Sequence, residues 1–262
     1  MIVDLQVNQG SAPWPVLRDA ALAAEEAGFS TLWNLDHFSG DMFGVDSMLE
    51  CFTCLGAWAA ITRRIGLGTL VANVNNRNAG LLANAATTVQ EVSEGRLTLG
   101  VGSGASPTGP FGAEHRALGM ALLPTMAERH ARLVEVVRTI REIWSPDRDE
   151  SYRGFPRPAR VPRVIAGVNS EGLARIAGPH LDGINIRFNH PERARLISTA
   201  IEASGGSPDF EASVWAWFEP ELVDRAHSFH AELAAEGVGR LVLLVKGAPD
   251  PGVIASTARY FG

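Results

Sequence analysis

The sequence predicts an α/β fold: a (β/α)8 TIM barrel that forms a single domain over residues 1–262. Strand-like and helix-like segments alternate strictly along the chain, which implies parallel strands joined by right-handed crossovers. Eight such pairs fit into 262 residues, a common length for a closed barrel. A doubly wound open sheet is the alternative, but eight repeats favour closure and no GxGxxG motif opens a helix after the first strand.

The order of the elements follows from the periodicity of apolar residues. The first predicted strand is 2–8, and a helix over 14–27 follows it, with Gly28 at the position where a helix commonly ends. The remaining predicted strands are 30–36, 65–74, 96–104, 163–168, 183–188, 211–220 and 240–245, and the remaining helices are 47–62, 78–91, 125–144, 170–178, 191–203, 221–236 and 251–260.

The clearest predicted helix is 125–144, because Thr125 and Glu128 form a capping box at its start. Its apolar face is marked by Met126, Leu133, Val137, Ile140 and Trp144. A connector rich in proline and arginine, 145–162, comes next. It has the composition of a domain linker, but strand 163–168 resumes the same alternation, so we interpret it as a long loop within one domain.

The composition is ordinary for a globular protein, with 46% apolar and 20% charged residues. The net charge is −6 and no block of like charges occurs, which argues against a nucleic-acid-binding surface. The N-terminus lacks the basic start and apolar run of a secretory signal, and no stretch is apolar enough to span a membrane. These features predict a cytoplasmic location.

Cys51 and Cys54 form the only CxxC motif of the chain. Such a pair is compatible with redox activity or with half of a zinc site. Here it lies within the predicted helix 47–62 and no second pair exists. We therefore expect two small buried side chains and no metal site.

Asp36 and His37 stand where the second strand ends. Active sites of TIM barrels lie at the C-terminal ends of the strands, so the pair is predicted to face the barrel mouth. An unperturbed histidine titrates near pH 6.5, which suits proton exchange at neutral pH. The alternative is a histidine that only makes structural hydrogen bonds.

Residues 50–105 resemble the bacterial luciferase-like superfamily, and within it the branch that uses the deazaflavin coenzyme F420. The resemblance rests on TRRIGLGTLV (62–71), RNAGLLANAATTVQEVSEGRLTLGVGSG (77–104) and the DHF of 36–38, and it continues through 127–144 and 163–185. It implies an oxidoreductase that transfers a hydride between F420 and a small organic substrate at the barrel mouth.

The resemblance also implies site residues. His37 would contact the deazaflavin ring, and Asp36 would orient the site or bind the cofactor. A bulge with a cis peptide between Leu70 and Val71 would support the ring from behind. The cofactor-binding residues implied in this way are Leu70, Val71, Ala72, Gly102, Ser103, Gly104, Ala166, Gly167, Val168 and Arg187.

Two of these segments also have a direct physical interpretation. Gly102 and Gly104 would leave room for a flat ring system, or they would form a tight turn. Residues 166–170 lead into a helix, and the N–H groups of a helix N-terminus suit the phosphodiester of the F420 tail. The tail carboxylates would meet Arg157 and Arg160 of the connector and Arg163 directly after it, unless these arginines are simply solvated.

The sequence departs from the sugar-phosphate dehydrogenases of the family. Ala105 stands where they have an acid, and Asp41 where they have a tryptophan. Two alternatives therefore remain: an FMN-dependent monooxygenase of the same superfamily, and a barrel that binds a flavin-like ligand without turnover. Trp215 and Trp217 share one face of strand seven and either shape a substrate pocket or pack within the barrel. Apolar helix faces are compatible with a homodimer.

Overall fold

Eight parallel strands close into a barrel in chain order, each hydrogen-bonded to the next and β8 to β1. The computed structural model describes residues 1–261. The strands are β1 Ile2–Gln6, β2 Thr31–Asn34, β3 Gly66–Asn73, β4 Leu97–Gly102, β5 Arg163–Gly167, β6 Gly183–Arg187, β7 Glu211–Trp217 and β8 Arg240–Leu244. The predicted (β/α)8 architecture is confirmed, and the open sheet is excluded.

The helices that surround the barrel follow the predicted order, with one addition. They are α1 Trp14–Ala27, α2 Cys51–Ile61, α3 Ala79–Val92, α4 Ala113–Ala117, α5 Met126–Trp144, α6 Glu171–His180, α7 Arg193–Ala203, α8 Ser228–Ala235 and α9 Pro251–Ser256. The five-residue α4, between β4 and α5, was not predicted because a helix this short shows no apolar periodicity.

Some predicted helices are too long. The helix expected over 47–62 begins only at Cys51, because the Glu50 side chain accepts a hydrogen bond from the Thr53 N–H group at 2.7 Å and caps the helix there. The residues before it form a loop beside the mouth. The helices expected over 221–236 and 251–260 are each divided, into the 3-10 turn Pro220–Val223 and α8, and into α9 and the turn Thr257–Tyr260.

The start of α5 matches its prediction. The Thr125 hydroxyl accepts the Glu128 N–H group at 3.2 Å, and the Glu128 carboxylate accepts the Thr125 N–H group at 2.9 Å. Both halves of the capping box are thus present. At the other end, the Trp144 indole donates to the Thr87 hydroxyl of α3 at 2.9 Å, which ties the two helices together.

The N-terminal end of the barrel carries an ionic cluster in which the buried Asp4 meets the partly buried Arg240 and Glu211. Arg240 Nη1 donates to both carboxylate oxygens of Asp4, at 2.9 and 2.8 Å, and Arg240 Nε donates to Glu211 at 2.7 Å. The Trp33 indole is a second donor and gives Asp4 its third hydrogen bond. Burial raises the pKa of Asp4 to about 6, although Arg240 and the Trp33 hydrogen bond oppose the shift.

A layer of apolar side chains lies above this cluster and forms the floor of the mouth. It consists of Trp33, Leu70, Ile165 and Val242, with Val71 and Trp215 packed against it. Gly68 has no side chain because a Cβ there would lie 2.3 Å from the Trp33 ring. The barrel interior is therefore filled, and ligands have access only from the C-terminal side.

Cys51 and Cys54 are free and buried, as expected. Burial raises the pKa of the Cys54 thiol to about 11 and that of Cys51 well above its ordinary value, so both stay protonated at neutral pH. Among residues 1–261, no helix combines the length and the apolar character that crossing a membrane requires.

Candidate active site

The third strand carries a bulge at the barrel mouth. Its pairing with β4 shifts register between Thr69 and Ala72, and the peptide between Leu70 and Val71 is cis, as the family resemblance implied. The Leu70 carbonyl accepts a hydrogen bond from Gln6 Nε2 at 2.9 Å, which fixes the bulge to the first strand. As a result the Val71 side chain projects into the mouth, where it lines cavities on both sides.

Two glycines on the neighbouring strands make room for Val71. A Cβ at Gly102 would lie 2.6 Å from Val71 Cγ2, and one at Gly167 would lie 3.0 Å from Val71 Cγ1. The space that Gly102 leaves is therefore filled by Val71 itself. Gly104 has a φ of +81°, and a Cβ there would lie 2.2 Å from the Asn75 amide nitrogen. The absence of a side chain at Gly104 therefore leaves room for the side chains of Asn73 and Asn75.

Asp36 is buried and fully engaged by hydrogen bonds. Arg77 Nη1 donates to both of its oxygens, at 2.9 and 2.8 Å, while the Asn73 N–H group and the Asn76 side chain donate to Oδ2. Burial disfavours the charge on Arg77, but its hydrogen bonds to Asp36 and Glu50 outweigh this and raise its pKa. Asp36 therefore connects β2 to the segment after β3.

His37 faces the mouth and is held by a carboxylate from elsewhere in the chain. Its Nδ1 lies 2.9 Å from Glu114 Oε1, and its ring packs edge-on against Phe43 at 5.0 Å between centroids. A carboxylate can only accept, so Nδ1 carries the hydrogen and Nε2 is left for a ligand. The His37 side chain is 22% exposed, enough to be reached from the mouth.

Glu114 was not identified from the sequence. It lies on α4, with only 6% of its side chain exposed, and its Oε2 accepts the N–H groups of Phe38 at 2.7 Å and Ser39 at 3.0 Å. Glu114 lies nine positions after Ala105, the position at which the sugar-phosphate dehydrogenases have an acid. The only indication of Glu114 in the sequence was the segment AEHRA, and its adjacent Glu and His match no recognisable motif.

His115, the next residue, contacts two asparagines at and after the end of β3. Its Nε2 lies 2.7 Å from the Asn76 side-chain oxygen and 3.3 Å from the Asn73 amide nitrogen. Burial lowers the pKa of His115, so the ring is neutral and donates from Nε2 to Asn76.

Two cavities meet at the wall formed by His37 and Val71. The first, which we call the glycine cavity, measures about 400 Å³ and is lined by Gly102, Ser103, Gly104, Ala105, Arg129, Asn169 and Leu173 among others. The second, which we call the tryptophan cavity, measures about 920 Å³ and is lined by Leu70, Val168, Arg187, Trp215, Trp217 and Lys246 among others.

Asn169 and Leu173, which stand on either side of the start of the ten-residue α6, line the glycine cavity. Ser170 stands at the N-cap but makes no capping hydrogen bond, and its hydroxyl is buried without a partner in the described residues. A buried polar atom without a partner is unusual, and Ser170 is not itself among the residues that line the cavity. Arg129 of α5 lines the same cavity and adds a positive charge.

The family model for luciferase-like monooxygenases matches residues 3–218. The chain belongs to this family. An F420-dependent glucose-6-phosphate dehydrogenase from Nakamurella multipartita is 34% identical over 177 residues, which cover 64% of this chain and 50% of the relative. A 5,10-methylenetetrahydromethanopterin reductase from Methanolobus tindarius is 28% identical over 250 residues, covering 90% of this chain and 70% of the relative.

A solved structure of an F420-dependent secondary alcohol dehydrogenase in complex with an F420-acetone adduct superposes with a TM-score of 0.77. It shares 16% identity and covers 99% of this chain and 98% of the other, so it shows the common fold alone. This luciferase-like chain spans about half the length of the dehydrogenase relatives that it matches.

The predicted site residues of this luciferase-like chain divide into three groups. Asp36, His37, Val71, Gly102, Ser103, Gly104 and Gly167 line the glycine cavity. Leu70, Val168 and Arg187 line the tryptophan cavity. Ala72 and Ala166 line neither, because their side chains are buried in the layer between barrel and helices.

Other predictions meet different outcomes. Trp215 and Trp217 both line the tryptophan cavity, so they do shape the mouth. Arg163, proposed for the cofactor tail, begins β5 at the opposite end of the barrel, where it donates to the carbonyls of Asp182 and Asp209. Within residues 1–261, no group of three or more acidic, histidine or cysteine side chains has the arrangement of a metal site.

Proposed function

We propose that this chain transfers a hydride between coenzyme F420 and a small organic substrate at the barrel mouth. The observation that carries the proposal is the wall shared by the two cavities, where the bulge at Val71 adjoins the His37–Glu114 pair. A flat cofactor needs a rigid support on one face, and hydride transfer to or from an oxygen-bearing carbon needs a proton site beside it. The name of the F420-dependent glucose-6-phosphate dehydrogenase relative supports the same cofactor.

The residues present fit this cofactor. Val71 would support the ring, the backbone of Gly102–Gly104 would border it, and the unpartnered Ser170 hydroxyl with the N–H groups of α6 would bind the phosphodiester. Arg129 is available for a carboxylate of the tail. When bound, F420 supplies the hydride donor or acceptor at C5 of its deazaflavin ring.

His37 holds the proton that accompanies the hydride. Glu114 fixes the hydrogen on Nδ1, so Nε2 accepts a proton from a substrate hydroxyl or returns one to a carbonyl oxygen. Glu114 also accepts the N–H groups of Phe38 and Ser39, so the same carboxylate holds His37 and the segment that follows it.

Asp36 acts as a positioning residue. Both of its oxygens are occupied by Arg77, and one also by the backbone of Asn73, so neither is free to exchange a proton with a substrate. Its effect on the reaction is to hold the end of β2, and therefore His37, against the bulge of β3.

A second candidate is an FMN-dependent monooxygenase, since the family model is that of luciferase-like monooxygenases. The two functions differ in their reaction with oxygen, because reduced flavin activates oxygen and reduced deazaflavin resists that reaction. A non-catalytic barrel was considered on account of Ala105. Glu114 weakens that alternative, because a buried carboxylate does reach His37.

The test is an anaerobic assay of the purified protein with F420 and a panel of alcohols, aldehydes and ketones, followed by deazaflavin absorbance. We expect turnover with at least one substrate class, and a decrease of roughly 10²- to 10⁴-fold in His37→Ala with F420 affinity retained. Turnover with FMN and oxygen, but none with F420, would favour the second candidate. Binding of F420 without any turnover would favour the non-catalytic barrel.

A further inference from the structure

The wall of the tryptophan cavity has an unusual charge. Its ionisable side chains are His37, Arg187, His190 and Lys246, and no carboxylate occurs among its lining residues within the described part of the chain. The protein as a whole has 29 acidic against 23 basic residues, and Lys246 is its only lysine. An acidic chain thus presents a purely basic wall at its mouth, which favours an anion there.

The two strongest charges of this wall are available to a ligand. Arg187 ends β6, and Lys246 lies two residues after the end of β8. Both are exposed, and neither lies within ion-pair distance of a carboxylate in residues 1–261. Arg193 on α7 contrasts with them, because it is neutralised by Glu232 and Glu236.

Strand β7 lies between these two charges and supplies an apolar surface. Trp215 pairs with Arg187 in the register of β6 and β7, and Trp217 pairs with Leu244 in the register of β7 and β8. The two indole rings meet edge-on with their centroids 5.6 Å apart, and Trp217 is 50% exposed. An apolar or aromatic ligand body would cover this surface, and its anionic group would meet the charges on either side.

The anionic tail of F420 is an alternative occupant, and the family resemblance implied Arg187 as a contact of the cofactor, but the proposed function assigns the tail to the glycine cavity. Arg129 of α5 and Leu173 of α6 line the glycine cavity and not the tryptophan cavity, whereas Asn169, just before α6, lines both. The tryptophan cavity also reaches His37. The basic wall therefore faces the space left for the substrate.

We propose that the tryptophan cavity recognises an organic anion, a carboxylate or phosphate ester with an apolar body, through Arg187 and Lys246. This inference rests on the proposed function for the role of that anion as substrate. It assigns the substrate class of the site, and it places the anionic group at the β6–β8 side of the mouth with the reacting carbon near His37.

Calorimetric titration tests the inference with three probes: benzoate, phenyl phosphate and the neutral benzyl alcohol. Each is titrated into the protein with and without saturating F420. We expect both anions to bind more tightly than the alcohol, and Arg187→Met and Lys246→Met each to weaken the anions roughly tenfold or more while leaving the alcohol unchanged. The ranking of benzoate against phenyl phosphate distinguishes a carboxylate from a phosphate substrate.

Arg138→Met is the matched control, because Arg138 is exposed on α5, lines neither cavity and carries the same charge. It should bind all probes like the unaltered protein. Equal affinity for the alcohol and the anions, or anion binding that survives both variants, would overturn the inference. So would a loss of F420 affinity in Arg187→Met and Lys246→Met, which would assign the wall to the cofactor tail. Failure of F420 to bind the unaltered protein would instead refute the proposed function, and the titrations without F420 would still decide the anion site.

Discussion

Replacing Glu114 by glutamine tests the pairing that orients His37. The carboxylate uses Oε1 for His37 and Oε2 for the N–H groups of Phe38 and Ser39. A glutamine has one acceptor oxygen, and with that oxygen on the two N–H groups its NH2 group faces His37. The imidazole must then accept at Nδ1 and carry its hydrogen on Nε2, the atom that should be free to take a proton.

The size of the effect follows from the interaction that is lost. A hydrogen bond to a charged group contributes about 1.5–3 kcal/mol, and each 1.4 kcal/mol corresponds to a factor of ten. We therefore expect kcat of Glu114→Gln to fall roughly 10- to 150-fold. Affinity for F420 should stay the same, because glutamine has nearly the size of glutamate and Val71 and the α6 N-terminus are untouched.

The assay is steady-state turnover with F420 over about pH 6 to 9, for the unaltered protein, Glu114→Gln and the surface control Glu135→Gln, whose side chain is 54% exposed. A loss of orientation alters the pH profile of kcat, which a general loss of stability would not do. Formate should partly restore Glu114→Ala by supplying a carboxylate, and it should not restore His37→Ala. An unaltered kcat and pH profile in Glu114→Gln would refute the reasoning.

Three further substitutions test the charge pairs and the packing of the barrel. Arg77→Met leaves the buried carboxylate of Asp36 without its cation, so denaturant unfolding should show a loss of about 3–5 kcal/mol. Gly102→Ala places a Cβ 2.6 Å from Val71 Cγ2, and this overpacking should cost about 1–3 kcal/mol in the same measurement. Asp4→Asn should remove a pH dependence of the free energy of unfolding. Because burial raises the pKa of Asp4 from 3.8 to about 6, its contribution to stability is present below pH 3.8 and is lost as the pH rises through 6. The free energy of unfolding of the unaltered protein, relative to Asp4→Asn, should therefore fall by up to about 3 kcal/mol between pH 3.8 and 7.

Each of these changes has its own control. Arg132→Met breaks only an exposed pair with Glu135, so its cost should stay below about 1 kcal/mol. Adding Val71→Ala to Gly102→Ala should recover much of the loss, because the remaining Cβ atoms would be 3.6 Å apart. Equal stability losses in the single and double variants, or a difference between the unaltered protein and Asp4→Asn that does not vary with pH, would contradict the respective argument.

The barrel was predictable because its elements repeat. Parallel strands buried on both faces, such as β3 and β4, appear as apolar runs, and the helices between them show one apolar face. The position of His37 followed directly, since a residue just after a strand of such a barrel must lie at the mouth. The bulge at Val71 did not follow from any pattern and depended on the family resemblance.

The partners of the site residues could not be predicted. Glu114 is 77 positions from His37 and lies on a helix too short for periodicity to detect. Arg77 gave no sign that it would bind Asp36, because an isolated arginine after a strand is usually exposed. Gly102 shows the same limit: the sequence indicated a close approach, but only the three-dimensional packing shows that Val71 is what approaches it.

The most direct test of the central claim is cofactor discrimination. The purified protein is titrated anaerobically with F420 and, separately, with FMN, and binding is followed by the absorbance and fluorescence of each cofactor. Our account predicts saturable binding of F420 that is clearly tighter than that of FMN and is weakened by Ser170→Ala, since the Ser170 hydroxyl has no other partner in the described residues. FMN binding that equals or exceeds that of F420 would contradict it.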